Sequence, residues 1–234
     1  VNRISPEAPV PIFEAKKREN RLGGAANVAL NIQALGATPI LCGIIGNDVK
    51  GKVFEEVMAS NNLVSNGIIK SNSRLTTCKT RIISSSHHML RVDEEEISNI
   101  SKSDSEELVK RVKKIVKEQK VDVVIFEDYD KGLLLQENIK EIVDYLNENN
   151  IPSCVDPKKN NFLNYHNTSL FKPNFIEFTN GLKEDIKKGD INNLNIHAEK
   201  LSSKLNIKNI MITLSEHGVL LFNKENSTHV PAEI

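Results

Sequence analysis

The stretch "CGIIGNDVKGKVF", residues 42–54, decides the fold class because it predicts a strand, a tight turn and a helix in succession. An apolar run typical of a buried strand precedes Gly46, and helical periodicity begins after Gly51. Gly46, Gly51 and Lys52 match the glycine and lysine spacing of a phosphate-binding P-loop. Val53 follows, however, where a P-loop requires a Ser or Thr hydroxyl for magnesium. The stretch therefore predicts a strand–turn–helix unit and leaves open whether it binds a nucleotide.

Helix-like and strand-like segments alternate on both sides of this unit. Helices are predicted at 23–36, 51–62, 104–119, 136–150, 174–181 and near 190–205, and strands at 38–45, 121–128, 151–156, 169–172 and 209–214, with a hairpin at 218–231. The first helix is expected to bury one stripe formed by Ala25, Val28, Ala29, Ile32 and Leu35. Because most of the strands are continuously apolar, helices should cover both faces of the sheet. The pattern predicts an α/β layered fold with a mainly parallel sheet.

Two segments interrupt this alternation. Residues 5–16 and 76–92 look like extended strands with no helix between their halves. They predict a small separate sheet, either an edge extension or a lid over the main sheet.

Composition excludes several classes of function. Among 234 residues, 31 Lys and Arg balance 31 Asp and Glu, so the chain has no net charge with which to attract nucleic acid. Charged residues interrupt every apolar run before it reaches about 18 residues, so no transmembrane helix is predicted. No signal-peptide pattern opens the sequence. The three cysteines form no C-x-x-C pair and the six histidines lack zinc-site spacing, which predicts free thiols and no zinc. The cytoplasm is the expected compartment.

Polar side chains follow several predicted strands at the point where each strand ends. The carboxyl ends of parallel strands meet at one edge of a sheet, where ligands of α/β proteins bind. The residues concerned are Asp128, Lys131, Asp156, Lys158, Lys172, Asn174, Glu177, Thr213, Ser215 and Gly218. Lysines, acids and hydroxyls gathered at one edge predict a pocket for a polar, phosphorylated ligand.

Some of these residues also have a purely structural explanation. Asn174 and Glu177 have the spacing of a helix capping box, which we favour on spacing alone over a role with metal and phosphate. Gly23 and Gly24 either let a ligand approach the start of the first helix or form a tight packing turn. The acidic run 93–96 is interpreted as a solvated connector. No G-x-G-x-x-G or G-x-S-x-G occurs, so neither a dinucleotide dehydrogenase nor a nucleophile-elbow hydrolase is supported.

The stretch "RLGGAANVALNIQALGA", followed by "GIIGNDVKG", resembles the first signature of the ribokinase-like carbohydrate kinases. In that family G-x-D-x-x-G is a structural turn, so the resemblance implies that the P-loop likeness is accidental. "RISPEAPVP", "TTCKTRIISSSHHMLRVDEE", "DYDKG", "VDPKKNNFLNY", "FKPNFIEF" and "TLSEHGVLLF" narrow the resemblance to the D-glycero-β-D-manno-heptose 7-phosphate kinases. That activity is often the first half of a bifunctional protein of ADP-heptose synthesis, which serves lipopolysaccharide. The implied architecture is a three-layer α/β/α domain with a β-strand lid.

The resemblance also implies roles for individual residues, with ATP and Mg²⁺ as cofactors. The sugar phosphate would be bound by Gly23, Gly24, Asn27, Lys79, Arg81, Arg91, Asp128 and Lys131. Asn174 and Glu177 would organise magnesium, through water, and the ATP phosphates. Lys158 and Lys172 would add positive charge there, and Thr213, Ser215 and Gly218 would border the nucleotide. The lid strands would join two subunits into a homodimer, which would also protect their edges.

Three alternatives stay open. The family's G-A-G-D element, which supplies the aspartate base, is expected after Ile234, so residues 1–234 are interpreted as one incomplete kinase domain that binds weakly and does not catalyse. The domain could instead phosphorylate another sugar, free or phosphorylated. It could also be a non-catalytic binding module that kept the fold.

Overall fold

Residues 3–9, 11–84 and 87–233 are described in the computed structural model of this chain. The helices are α1 (Ala25–Ala34), α2 (Val49–Ser60), α3 (Lys102–Glu118), α4 (Gln136–Glu148), α5 (Phe175–Leu182) and α6 (Ile191–Leu205), with a 3-10 turn at Ser215–His217. The strands are β1 (Arg3–Ile4), β2 (Pro11–Ile12), β3 (Gly43–Gly46), β4 (Ile68–Ser71), β5 (Cys78–Ser84), β6 (His87–Glu94), β7 (Val124–Glu127), β8 (Ser153–Asp156), β9 (Leu170–Phe171), β10 (Asn209–Thr213), β11 (Val219–Asn223) and β12 (Ser227–Val230). None of the helices in these ranges is long and apolar enough to cross a membrane.

The main sheet has six strands in the order β12-β11-β10-β9-β8-β7. Strands β7 to β10 run parallel, whereas β10, β11 and β12 form an antiparallel meander. Its core includes Val155, Phe171, Ile210 and Ile212, all almost inaccessible to solvent. The prediction of an α/β fold with a mainly parallel sheet is confirmed by these pairings. Because β7 to β10 are parallel, their carboxyl ends form one continuous rim.

Residues 42–54 form β3, the turn after it and the first half of α2. Strand β3 pairs in parallel with β4. Asp48 caps α2, accepting hydrogen bonds from the backbone N–H of Gly51 at 2.7 Å and from the N–H and hydroxyl of Thr76, each at 2.8 Å. The Thr76 hydroxyl in turn accepts from the N–H of Gly46 at 2.9 Å. The Asp48 carboxylate and the N–H groups of Gly46 and Gly51 are therefore bonded within the protein, as expected of a structural turn.

Two hairpins lie outside the main sheet. Strands β5 and β6 pair antiparallel with an irregular register between Ile82 and Ile83, and they form the hairpin that we call the lid. The predicted lid stretch 76–92 is thus a hairpin whose second strand runs on to Glu94, and its residues 85–86 lie outside the described ranges. The predicted strand 5–16 is wrong in extent, because among its described residues only Pro11–Ile12 pairs, with Arg3–Ile4. Residue 10 of that stretch is also outside the described ranges.

Helix α1 buries its predicted stripe in part, since Ala29 is buried and Ala25, Val28 and Ile32 are half-buried. Its buried residues are Ala26 and Ala29, with Leu30 packed alongside, and they join Met58 of α2 in a second, smaller core. Leu35, predicted to end the buried stripe, is 87% exposed. The helix ends at Ala34, two residues before its predicted end at residue 36, so Leu35 lies beyond its last turn.

Candidate active site

Charged side chains alternate along the rim of the parallel strands. Glu127 and Asp156 end β7 and β8 and lie opposite each other in register. The Asp156 carboxylate contacts Lys158 Nζ at 3.3 Å and Lys172 Nζ at 3.2 Å. Lys158 also forms an ion pair with Glu177. The parallel topology therefore gathers carboxylates and lysines that are up to 50 residues apart in the sequence.

Helix α5 begins at this rim with a complete capping box. The Asn174 side-chain oxygen accepts from the Glu177 N–H at 2.8 Å, and the Glu177 carboxylate accepts from the Asn174 N–H at 2.9 Å. The backbone of Asn174 also forms an isolated parallel β-bridge with Thr213, at the end of β10. The structural role predicted from spacing is present, and it fixes Glu177 where it can also contact Lys158.

The rim carries more negative than positive charge. Burial, followed by repulsion from Asp156, raises the pKa of the Glu127 carboxyl. For Lys158, burial works against the charged form, but the hydrogen bond to Glu177 and the charge of Asp156 outweigh it and raise its pKa. The rim thus holds three carboxyl groups (Glu127, Asp156 and Glu177) and two ammonium groups (Lys158 and Lys172). This excess of acidic groups favours binding of an added cation.

This donor set fits a hydrated magnesium ion carried by a nucleotide. No group of three His, Cys, Asp or Glu side chains among the described residues could hold a metal ion directly. Magnesium binds oxygen ligands and keeps several waters, commonly using one or two carboxylates together with substrate phosphates. Glu177 or Asp156 would contact such waters, while Lys158 and Lys172 offer charge for phosphate oxygens.

A tight turn follows β10 beside α5. Ser215 has φ +52° and Gly218 has φ +83°, and the Gly218 carbonyl accepts from the Leu214 N–H at 2.7 Å. A Cβ added to Gly218 would lie 2.0 Å from the carbonyl oxygen of Val230. Only glycine fits here, so the turn from Thr213 to Gly218 has a fixed shape next to the capping box.

The start of α1 approaches the rim from another direction. Gly24 has φ +55°, and a Cβ added there would lie 3.6 Å from the ring of Tyr129, which follows β7. Gly23 has no atom near the position of a Cβ, and Asn27 is exposed on the first turn. Gly24 thus makes the turn that one of the two interpretations predicted, and a ligand contact at Gly23 stays a prediction.

Asp128 lies at the rim but faces inward. It is 3% exposed and accepts hydrogen bonds from the Tyr165 hydroxyl at 2.8 Å, the Asn161 amide at 3.0 Å and the Asp130 N–H at 2.8 Å. With its oxygens engaged in this way, Asp128 shapes the loop that carries Lys131. This geometry favours a positioning role over the substrate contact that the resemblance implied. Sequence reasoning missed Tyr165 and Asn161 because they lie more than 30 residues away.

A second charged cluster joins the lid to the loop after β7. Lys79 of β5 contacts Asp93 at 2.7 Å and Glu95 at 3.0 Å, and Lys131 contacts the other oxygen of Glu95 at 2.7 Å. Arg91 pairs with Asp93 at 3.0 Å. The structure thus brings together two lysines that are 52 residues apart in the sequence.

Two further predictions concern this cluster. The prediction that residues 93–96 are solvated agrees with the exposure of Asp93 and Glu94, but both residues belong to β6, not to a connector, and Glu94 pairs with Lys50. A local run of acids does not reveal cations that are distant in the sequence. Arg81 donates only weakly, at 3.4 Å, to the carbonyl of Lys79 and otherwise lies on the exposed side of the lid.

The family model for pfkB family carbohydrate kinases matches residues 1–234. The chain is 36% identical over 231 residues to "Bifunctional protein HldE" of Helicobacter pylori strain P12, covering 98% of this chain and 49% of that protein. It is 37% identical over 223 residues to the protein of the same name from Campylobacter jejuni strain RM1221, covering 95% and 46%. The chain spans about half the length of these curated relatives.

Solved structures share the fold at low sequence identity. Phosphofructokinase-2 from Escherichia coli, in complex with fructose-6-phosphate, superposes with a TM-score of 0.70 at 16% identity, covering 89% of this chain and 67% of that one. Ribokinase from Thermotoga maritima gives a TM-score of 0.63 at 19% identity, covering 99% and 72%. The match over all 234 residues, the curated relatives and the shared architecture agree, and the chain belongs to the pfkB family of carbohydrate kinases.

Proposed function

We propose that this chain is the kinase domain of an enzyme that transfers the ATP γ-phosphate to the anomeric hydroxyl of D-glycero-D-manno-heptose 7-phosphate. The product would feed ADP-heptose synthesis for lipopolysaccharide, in the cytoplasm. The proposal is supported by family membership, by the curated relatives, and by sequence motifs typical of heptose 7-phosphate kinases. The observation that carries it is the meeting of Lys79 and Lys131 at Glu95.

The lysine pair supports a phosphorylated acceptor. Lys79 and Lys131 are each about one-third exposed, so a ligand can reach both ammonium groups. A phosphate group between them would accept charge-assisted hydrogen bonds and replace Glu95 as their partner. Arg91 lies in the same cluster through Asp93 and would add to the positive charge. A sugar without a phosphate group has no negative charge for these two lysines to bind.

The rim cluster supports binding of the donor. Lys158 and Lys172 would contact ATP phosphates, and the backbone at the start of α5 would add the positive end of a helix dipole. Magnesium, when bound, would neutralise phosphate charge through waters held by Glu177. Thr213, Ser215 and Gly218 would border the nucleotide. Phosphoryl transfer suits such a site because its catalysis is mainly positioning and charge stabilisation.

We also propose a homodimer joined through the lid. Leu90 and Val92, which are 50% and 43% exposed, alternate along β6 and share one face of this hairpin, an apolar surface that a second copy would cover. A phosphofructokinase-2 from Escherichia coli that is described as tetrameric superposes on this chain with a TM-score of 0.72.

The experiment that tests the proposed function is a substrate panel on the full-length protein. Phosphorylation of heptose 7-phosphate with a kcat/KM well above that for fructose, ribose and fructose 6-phosphate is expected. Preference for any of these other sugars would replace the specificity proposal with the alternative of another sugar kinase. Absence of turnover with every acceptor, while ATP still binds, would favour the non-catalytic module.

A further inference from the structure

One arginine connects the base of the lid to the loop that carries Lys131. Arg74 lies between β4 and β5, at the entrance to the lid, and is half-buried. Its guanidinium donates to the carbonyl of Ser98 at 2.6 Å, to that of Glu96 at 2.7 Å and to that of Lys131 at 2.8 Å. Residues 96 and 98 form the exit from the lid. A single side chain therefore holds the entrance, the exit and the neighbouring loop together.

The surrounding contacts make this junction tight. The N–H of Ile100 donates to the carbonyl of Gly132 at 2.9 Å. Gly132 has φ +71°, and a Cβ there would lie 2.0 Å from the Ser98 carbonyl oxygen. The lid exit and the loop after β7 therefore touch through their backbones directly beside the Arg74 bonds.

Glu95 links this junction to the lysine pair. Its carboxylate contacts both Lys79 and Lys131, and it directly precedes Glu96, whose carbonyl Arg74 holds. A shift of the 95–98 segment would move Glu95 away from the lysines and would separate Lys79 on the lid from Lys131 on the loop.

We propose that Arg74 is a positioning residue. It holds the lid against the loop after β7, in the position where Lys79 and Lys131 can bind the same phosphate group. It acts through three backbone carbonyls and does not contact the acceptor itself. The kinetic part of this inference rests on the proposed function, whereas the structural part does not. Sequence reasoning gave no role to Arg74, because an arginine that binds carbonyls leaves no local charge pattern.

Arg111 offers a matched control. It is also an arginine that donates to a backbone carbonyl, that of Ile68 at 2.5 Å, and it pairs with Glu107 on the same helix. It lies on α3, outside both charged clusters. Arg74→Gln and Arg111→Gln each remove a guanidinium that bonds the backbone, but only the first should affect the lid.

The test combines hydrogen exchange with kinetics on the full-length protein. Arg74→Gln should speed amide exchange in 78–84, 87–94 and 129–132 without changing α6, and should raise KM for heptose 7-phosphate about tenfold while KM for ATP changes less than about twofold. Arg111→Gln should show neither effect. Equal effects of the two variants on exchange would overturn the proposal.

The two arms separate this inference from the proposed function. If the wild-type protein does not phosphorylate heptose 7-phosphate, the exchange arm alone decides whether Arg74 holds the lid. If it does, a rise in KM for ATP equal to that for the sugar would also contradict the proposal. Should Arg74→Gln not fold, Arg74→Lys, which keeps the charge but lacks the planar fork, is expected to show the same pattern more weakly.

Discussion

Gly218 has a backbone conformation that few other residues adopt. With φ +83° and the Val230 carbonyl in the place of a Cβ, Gly218→Ala should lower the free energy of unfolding by about 3 kcal/mol or more. Gly36 is the control, since it has φ +90° but no atom within 4 Å of a Cβ. Gly36→Ala should cost only the strain, about 1 kcal/mol. Urea unfolding measures both, and equal losses would show that the contact with Val230 does not matter.

Glu127 should make stability depend on pH. Burial and then Asp156 raise its pKa in the folded state above the usual 4.5. Between 4.5 and that raised value the folded state binds more protons than the unfolded state, so this group's contribution to stability falls as pH rises. Glu127→Gln should therefore be as stable as the parent near pH 4 and more stable at pH 7.5. Thermal unfolding of both proteins at pH 4 and pH 7.5 checks this. A parent whose stability relative to the variant increases as pH rises would refute it.

Asn174 combines two roles that a variant can separate. Asp is as good a helix cap as Asn, so Asn174→Asp should change the free energy of unfolding by less than about 0.5 kcal/mol, whereas Asn174→Ala should cost about 1 kcal/mol. A carboxylate there would also repel bound phosphates, so kcat/KM of Asn174→Asp should fall at least about tenfold. Unfolding and steady-state kinetics on the same samples decide this. Parent-like activity of Asn174→Asp would leave the cap as its only role.

Helices and strands were predictable where local pattern alone determines them. Strand β8 and helix α4 lie within two residues of their predicted bounds, because an apolar run ends at an Asp-Pro turn and a clear 3.6-residue period follows Gln136. Helix α1 was harder, since its face is set by the contact with Met58 and not by its own sequence. The lid hairpin was predictable as extended chain, but its irregular register was not.

Site residues were predictable by type and position, and less so by role. Lysines and acids at strand ends follow from the parallel topology, which brings Asp156 to Lys172. The inward orientation of Asp128 depends on Tyr165, and the pairing of Glu95 depends on Lys79 and Lys131. These partners lie 16 to 37 residues away in the sequence, so no local pattern could identify them.

Assembly should depend on the apolar side of the lid. Leu90 is 50% exposed, and the full-length protein should sediment with twice its subunit mass. Leu90→Glu should reduce that mass to one subunit, because a charge in an apolar contact is costly to bury. Ile196 on α6 is 51% exposed, and Ile196→Glu should leave the dimer intact. A monomeric parent, or equal effects of the two variants, would contradict a lid-mediated dimer.

Recognition of a phosphorylated acceptor by Lys79 and Lys131 is the central claim, and one ratio tests it. That ratio is kcat/KM for heptose 7-phosphate divided by kcat/KM for the same heptose without phosphate, measured in the parent and in Lys131→Gln. Each lysine–phosphate bond contributes about 1.5–3 kcal/mol, so the ratio should be large in the parent and fall about 10- to 100-fold in the variant. A ratio that is near one in the parent, or unchanged in Lys131→Gln, would contradict the claim.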